Sequence, residues 1–167
     1  MLVLDLEKLF QSEGSSIPIH QEADFSYLNA PDGLTFRNPV LIEGSVQNEA
    51  QIVTIRATVT ADIDTFCDRC AGEMTLHMAV PMEHTLVLEL FQEEDADQYI
   101  VLDDARLDVE ALAAEDLVLD MPTKFLCRED CKGLCPTCGK NLNDGPCGCE
   151  QEVDPRLAAL ADLLKDD

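Results

Sequence analysis

Six cysteines fall within the stretch from Cys127 to Cys149, which reads CREDCKGLCPTCGKNLNDGPCGC. So many thiols so close together must share ligands or be held apart, and nothing else in the chain constrains its folding as much. The spacings are Cys127-x3-Cys131, Cys131-x3-Cys135, Cys135-x2-Cys138 and, last, Cys147-x-Cys149. Between the last two pairs runs a loop of turn formers: Gly139, Asn141, Asn143, Asp144, Gly145 and Pro146. Cys135-Pro136-Thr137-Cys138-Gly139-Lys140 reads as a zinc knuckle, in which two thiolates three positions apart converge on one ion. The glycine lets the backbone turn tightly around the sulfur. Cys67 and Cys70 repeat the C-x2-C bite far upstream.

The eight cysteines thus form four close pairs, and four pairs can make two four-thiolate sites in three ways. Short closure favours Cys135 and Cys138 with Cys147 and Cys149, because the intervening eight-residue loop costs little entropy. Cys127 and Cys131 then close on Cys67 and Cys70. The expected cofactor is zinc, one ion or two, with all eight cysteines as ligands. Three other uses of the thiols compete with it. Disulfides are one, although eight cysteines in 167 residues is sparse for a secreted disulfide scaffold. A redox dithiol and an iron–sulfur cluster are the others.

The chain is long enough for one core plus a small metal-held lobe. Three segments are expected: a β-rich α+β domain over 1–120, a cysteine-rich lobe over 121–150 and a terminal helix within 151–167. Acidic residues number 34 and basic ones 11, a net charge of −23. Zinc does not erase this, since four thiolates outweigh one dication. Such a charge repels phosphate and favours a basic partner. Within it lies one basic island, Lys124, Arg128, Lys132 and Lys140, with only Glu129 and Asp130 opposing it between 121 and 143. RNA, if touched directly, is expected there. The opposite extreme is Glu93, Glu94, Asp95 and Asp97, a strip on which a basic partner can dock. Each patch also reads simply as solvated surface.

The opening MLVLDLEKLF carries Asp5 and Glu7 and lacks a basic leader, and no apolar run approaches a membrane span. A cytoplasmic protein with no membrane partner and no small-molecule substrate is expected. A short helix is predicted over Leu4 to Gln11, with Asp5 as cap and Gly14 as stop. Ser12 to Phe36 leaves room for one short strand or an extended arm. From Val40 the apolar period becomes two, predicting strands over Val40–Gln47, Ile52–Phe66 and Met74–Phe91, the last bent at Pro81. On the second strand Val53, Ile55, Ala57, Val59, Ala61 and Ile63 share one face. Cys67 and Cys70 then sit at a hairpin tip. Tyr99–Leu102 returns as an edge strand. Asp108 caps a helix running to about Asp120, and Asp154-Pro155 opens a last helix carrying Leu157, Leu160 and Leu164. The fold class is α+β: an antiparallel sheet, open or barrel-like, with flanking helices and a zinc-ribbon-like lobe.

Catalysis finds little support. His20, His77 and His84 are scattered, and His20-Gln21-Glu22 is too short a pattern to carry deaminase chemistry without a following P-C-x-x-C. Phosphate loops, H-E-x-x-H and G-x-S-x-G are absent from the sequence.

The ordered set resembles a known family. Cys67-Asp68-Arg69-Cys70 after a long strand, an acidic middle, Met121-Pro122, Lys124 and Leu126, the cysteine segment with its Asn141-Leu142-Asn143 tail, and a final D-P-R-L-A from Asp154 are similar to the YceD family over roughly residues 30 to 165. These are the large ribosomal RNA subunit accumulation proteins. The resemblance implies a cytoplasmic, non-enzymatic ribosome-biogenesis protein needed for accumulation or processing of large-subunit ribosomal RNA, its gene often beside that of a small basic ribosomal protein. Joined to the charge, it points to a basic ribosomal protein or a pre-large-subunit particle as partner. Direct rRNA binding through the basic island and a thiol redox role are the alternatives.

Overall fold

The computed structural model describes residues 2–30, 33–90 and 98–149. The described residues fall into two compact units, one drawn from residues 2–66 and 73–125, the other from 67–72 and 126–149. The predicted terminal helix and the strip Glu93, Glu94, Asp95 and Asp97 lie outside the described residues.

The first unit is built on a sheet of six strands. β2 (Ser16–Ala23), β4 (Val40–Glu49), β5 (Ile52–Phe66), β6 (Glu73–Val87) and β7 (Tyr99–Val101) lie side by side in that order, and β3 (Thr35–Phe36) pairs with the end of β5. β5 has the predicted bounds, and strict alternation explains it. Val53, Ile55, Val59, Ala61 and Ile63 are buried, while Thr58, Thr60 and Arg56 face solvent. Register carries the pattern across the sheet, with Ile42 opposite Val59 and Val59 opposite Val80. The β4–β5 turn has two residues, Ala50 and Gln51, both at positive φ. At Gly44 the strands approach so closely that a methyl would overlap the Arg56 carbonyl and Ala57 Cα. Ion pairs line the wet face, Arg56 with Glu83 (2.9 Å) and Arg37 with Asp64 (2.8 Å), and on the same face His77 hydrogen-bonds with Asp62 (2.6 Å) and His20 with Glu43 (2.9 Å).

Several expectations need correction. The start is not a helix from Leu4: Val3–Asp5 form β1, which pairs antiparallel with β8 (Arg106–Asp108), and only Glu7–Gln11 turn into α1. Ser12–Phe36 contains a full eight-residue strand, β2, which tolerates Pro18 because the strand is at the sheet edge. β6 ends at Val87, short of Phe91, and runs through Pro81 without interruption opposite Thr58. Pro81 fits because β7 covers only Thr85–Val87 on that side. β7 lies parallel to β6, so the sheet is mostly rather than wholly antiparallel. Among the described residues it does not close into a barrel.

α2 (Val109–Asp120) matches prediction. The Asp108 carboxylate accepts from the Ala111 amide (3.1 Å), and Val109, Leu112, Ala113 and Leu117 are buried in the core. Phe25 closes that core, edge-on to Phe36 with centroids 6.2 Å apart. Asn48, buried on β4, donates from Nδ2 to the Leu9 carbonyl (2.7 Å), satisfying the end of α1.

Candidate metal centres

The second unit contains all eight cysteines, and its two C-x2-C pairs fold into one and the same turn. The Cys67 amide donates to the Gly72 carbonyl (2.9 Å) and the Ala71 amide to the Cys67 carbonyl (2.8 Å). The Cys135 amide donates to the Lys140 carbonyl (2.8 Å) and the Gly139 amide to the Cys135 carbonyl (2.9 Å). The residue after the second cysteine is left-handed in each, Ala71 at φ 53° and Gly139 at φ 72°.

These turns deliver the sulfurs to two places. Cys67, Cys70, Cys127 and Cys131 bring their Sγ atoms within 4.8 Å of one another, and so do Cys135, Cys138, Cys147 and Cys149. This is the pairing that short loop closure favoured. Cys67 Sγ lies 3.8 Å from Cys131 Sγ, and Cys70 Sγ 3.8 Å from Cys127 Sγ. A disulfide would require about 2.05 Å. Thiolates about 2.3 Å from a tetrahedral zinc would stand about 3.8 Å apart, so the separation suits a shared ion.

The electrostatics of the two clusters point the same way. The Cys67 thiol is drawn down to about 6, first by the Cys127 amide and then by the Cys70 amide. Cys135 is drawn down to about 6 by the Cys138 and Thr137 amides. Backbone N–H groups aimed at sulfur stabilise the thiolate. In the same clusters Cys127 is pushed up to about 12, first by desolvation and then by the neighbouring thiols, and Cys149 to about 12 by the Cys138 and Cys147 thiols. Four sulfurs this close cannot all ionise unaided; a dication removes the conflict.

Around the first cluster stands a shell of other groups. Arg69, between Cys67 and Cys70, donates through Nη1 to the carbonyls of Glu129 (3.1 Å) and Cys131 (2.8 Å), and its own carbonyl accepts from the Leu134 amide (3.0 Å). Gly133 is at φ 74°, and a Cβ there would come 2.9 Å from the Arg69 carbonyl oxygen. Asn143 donates from Nδ2 to Cys131 Sγ (3.3 Å), which helps lower that thiol's pKa. Asn143 Oδ1 in turn accepts from Arg128 Nη2 (2.6 Å) and the Lys132 amide (2.9 Å). Sequence reading missed Arg69 and Asn143 as supports. Asn143 looked like one turn former among six, and no spacing rule marks it.

The basic island does not belong to one unit. Lys124 is exposed in the first, and Arg128, Lys132 and Lys140 are exposed in the second. Arg128 is committed to Asn143 and lies 3.4 Å from Asp130, while Lys140 Nζ donates to the Pro146 carbonyl (3.0 Å). His20 and His77 pair with carboxylates on the sheet, and His84 Nε2 is 2.7 Å from Asp116.

Fold and site together define a mixed α+β protein with two four-cysteine clusters able to hold metal ions, a chemistry compatible with zinc. The family model described as large ribosomal RNA subunit accumulation protein YceD matches residues 55–164, and the chain belongs to that family. The match starts within β5 and takes in every cysteine. The chain is 29% identical over 134 residues to an uncharacterized protein of Mycobacterium leprae, covering 77% of this chain and 61% of that one. It is 27% identical over 125 residues to an uncharacterized protein of Mycobacterium tuberculosis, covering 71% and 59%. With the uncharacterized protein YlbN of Bacillus subtilis it shares 28% identity over 133 residues, covering 78% and 77%. The chain thus spans about three fifths of the length of these mycobacterial relatives. No solved structure matches it significantly.

Proposed function

We propose that this protein is a non-enzymatic, cytoplasmic ribosome-biogenesis factor that supports accumulation of large-subunit ribosomal RNA by holding a basic ribosomal protein, or an assembly intermediate that displays one. Family membership supports the RNA role. The single observation that carries the partner class is the net charge of −23. A surface this anionic repels a phosphate backbone and competes with it for the same lysines and arginines, so it can shield a basic protein and release it to RNA.

Zinc in the two clusters is structural in this reading. One ion fastens Cys67 and Cys70 to Cys127 and Cys131, the other closes Cys135–Cys149 into a zinc-ribbon-like loop, and each filled site keeps a net charge of about −2. The acidic strip Glu93, Glu94, Asp95 and Asp97 adds to the partner surface. Direct rRNA contact through Lys124, Arg128, Lys132 and Lys140 is the less favoured route, because Arg128 and Lys140 already donate within their own unit. No described helix is long and apolar enough to cross a membrane.

The test mixes the full chain with purified basic large-subunit ribosomal proteins and, separately, with large-subunit rRNA. Binding to at least one basic protein at low salt, weakening steeply as salt rises, is the expected result. Failure to bind any of them at low salt, with rRNA binding lost when the four cations are replaced, would overturn the reading in favour of an RNA-binding module.

A further inference from the structure

Helix α2 is apolar on more than its packed side. Leu112, Ala113 and Leu117 face the core, yet Val118 is 49% exposed and Leu119 83% exposed. Leu119 stands as a ridge between two shallow hollows. One, of about 410 Å³, is lined by Leu28, Ala114, Glu115, Val118 and Leu119. The other, of about 210 Å³, is lined by Val80, Pro81, Asp116, Leu119 and Asp120. Tyr27, next to Leu28, is 67% exposed. Its phenol is held above its usual pKa by partial desolvation and then by Glu110 and Asp108, which places it toward the start of α2. A lone exposed leucine is ordinary; a leucine between two hollows, with Leu28 and the exposed Val118 lining one of them, forms a patch of the kind that marks an interaction site.

Charge selects the occupant. α2 carries Glu110, Glu115, Asp116 and Asp120 and no basic residue. The last turn of a helix favours cations, because its carbonyls form the negative end of the dipole, and here it ends instead in Asp120. Asp116 hydrogen-bonds with His84 Nε2 at 2.7 Å. A second copy of this chain would bring the same carboxylates against these. The chain's own residues 150–167 hold six acidic side chains against Arg156 and Lys165, so they are equally mismatched. An anionic lipid surface or RNA is repelled for the same reason.

We infer that the exposed face of α2 docks a cationic amphipathic segment of a basic protein, whose apolar side chains fill the hollows on either side of Leu119 while its lysines or arginines meet Glu115 and Asp120. The surface rests on the reading above for its partner's class and gives that reading a location. Apolar anchoring supplies affinity and the carboxylate rim supplies register and encounter rate.

The experiment uses the full chain and a synthetic helical peptide of lysine and leucine, with a lysine and glutamine peptide of equal charge as control. Binding is followed by fluorescence anisotropy and by amide shifts in NMR spectra. The expected result is shifts centred on Leu28, Val118 and Leu119, with at least about tenfold weaker binding for the glutamine peptide. Leu119→Ser should weaken binding about tenfold, as loss of one buried leucine contact implies, and so should the double variant Glu115→Gln, Asp120→Asn. Leu119 and Asp120 are exposed, so these variants fold. Equal binding of both peptides, shifts elsewhere, or self-association abolished by Leu119→Ser would overturn the proposal. The variants are then mixed with the ribosomal proteins. If wild type binds one of them and Leu119→Ser binds it equally, this surface fails while the functional reading stands. If wild type binds none yet the peptide maps to α2, the functional reading fails and the surface stands.

Discussion

The two cysteine clusters share a turn and differ in almost everything around it. The Cys135–Cys149 cluster is local, closed by a short loop, and has a glycine in its left-handed position. The Cys67–Cys131 cluster joins the β5–β6 connection to a segment far along the chain, has Cys67 and Cys131 buried, and tolerates Ala71 in that same position. Arg69 and Asn143 brace the second kind of site with four hydrogen bonds to chain carbonyls, sulfur and amide. The difference teaches that a nearby pair of cysteines is brought together by a turn and one bond across its short loop, Lys140 Nζ to the Pro146 carbonyl, whereas a distant pair is held by a larger outer shell.

The largest effect that would break this comparison is loss of a ligand. Cys131→Ser and Cys138→Ser should each lower metal content from two ions to one, with stability falling by several kcal/mol in denaturant titrations. The loop from Cys67 to Cys131 is far longer than that from Cys135 to Cys149, so Cys131→Ser should cost about 1 kcal/mol more. Equal costs would mean that loop closure does not distinguish the sites. Next comes the order of metal loss. Each cluster has one exposed thiol, Cys138 or Cys127, but the Cys135–Cys149 cluster has one buried thiol, Cys135, where the other has two, Cys67 and Cys131, so chelator should strip it first; mass mapping of newly labelled thiols reads this directly.

Smaller effects sharpen the contrast. Asn143→Ala removes a donor from Cys131 Sγ and an acceptor for Arg128 and the Lys132 amide, and should cost about 1–3 kcal/mol while leaving the other cluster's thiols protected. The exchange of left-handed residues is the finest test. Gly139→Ala should cost about 1 kcal/mol and Ala71→Gly should gain up to about 1 kcal/mol, opposite signs in the same turn, measured as shifts in melting temperature.

How much of this was legible depends on the range of the interaction. The pairing of the cysteines was legible because closure entropy ranks the three possibilities, and β5 and α2 were legible because alternation and the Asp108 cap are local signals. Residues 1–11 were not. Leu2, Leu4 and Leu6 alternate as a strand while Leu6, Leu9 and Phe10 repeat as a helix, and the choice is made by β8, about a hundred residues away. The parallel direction of β7 was hidden for a similar reason, since a crossover leaves no mark on a three-residue strand. Pro18 disguised β2, because only its edge position makes proline acceptable there. The apolar ridge at Leu119 escaped notice because helical periodicity accounts for leucines that pack and says nothing of one that does not.

The most direct measurement is native mass spectrometry of the full chain purified without added metal or chelator, paired with a count of reactive thiols before and after unfolding. The account predicts two zinc ions per chain and all eight thiols protected until the protein unfolds. A metal-free chain whose thiols react in the native state, or are joined as disulfides, would contradict it.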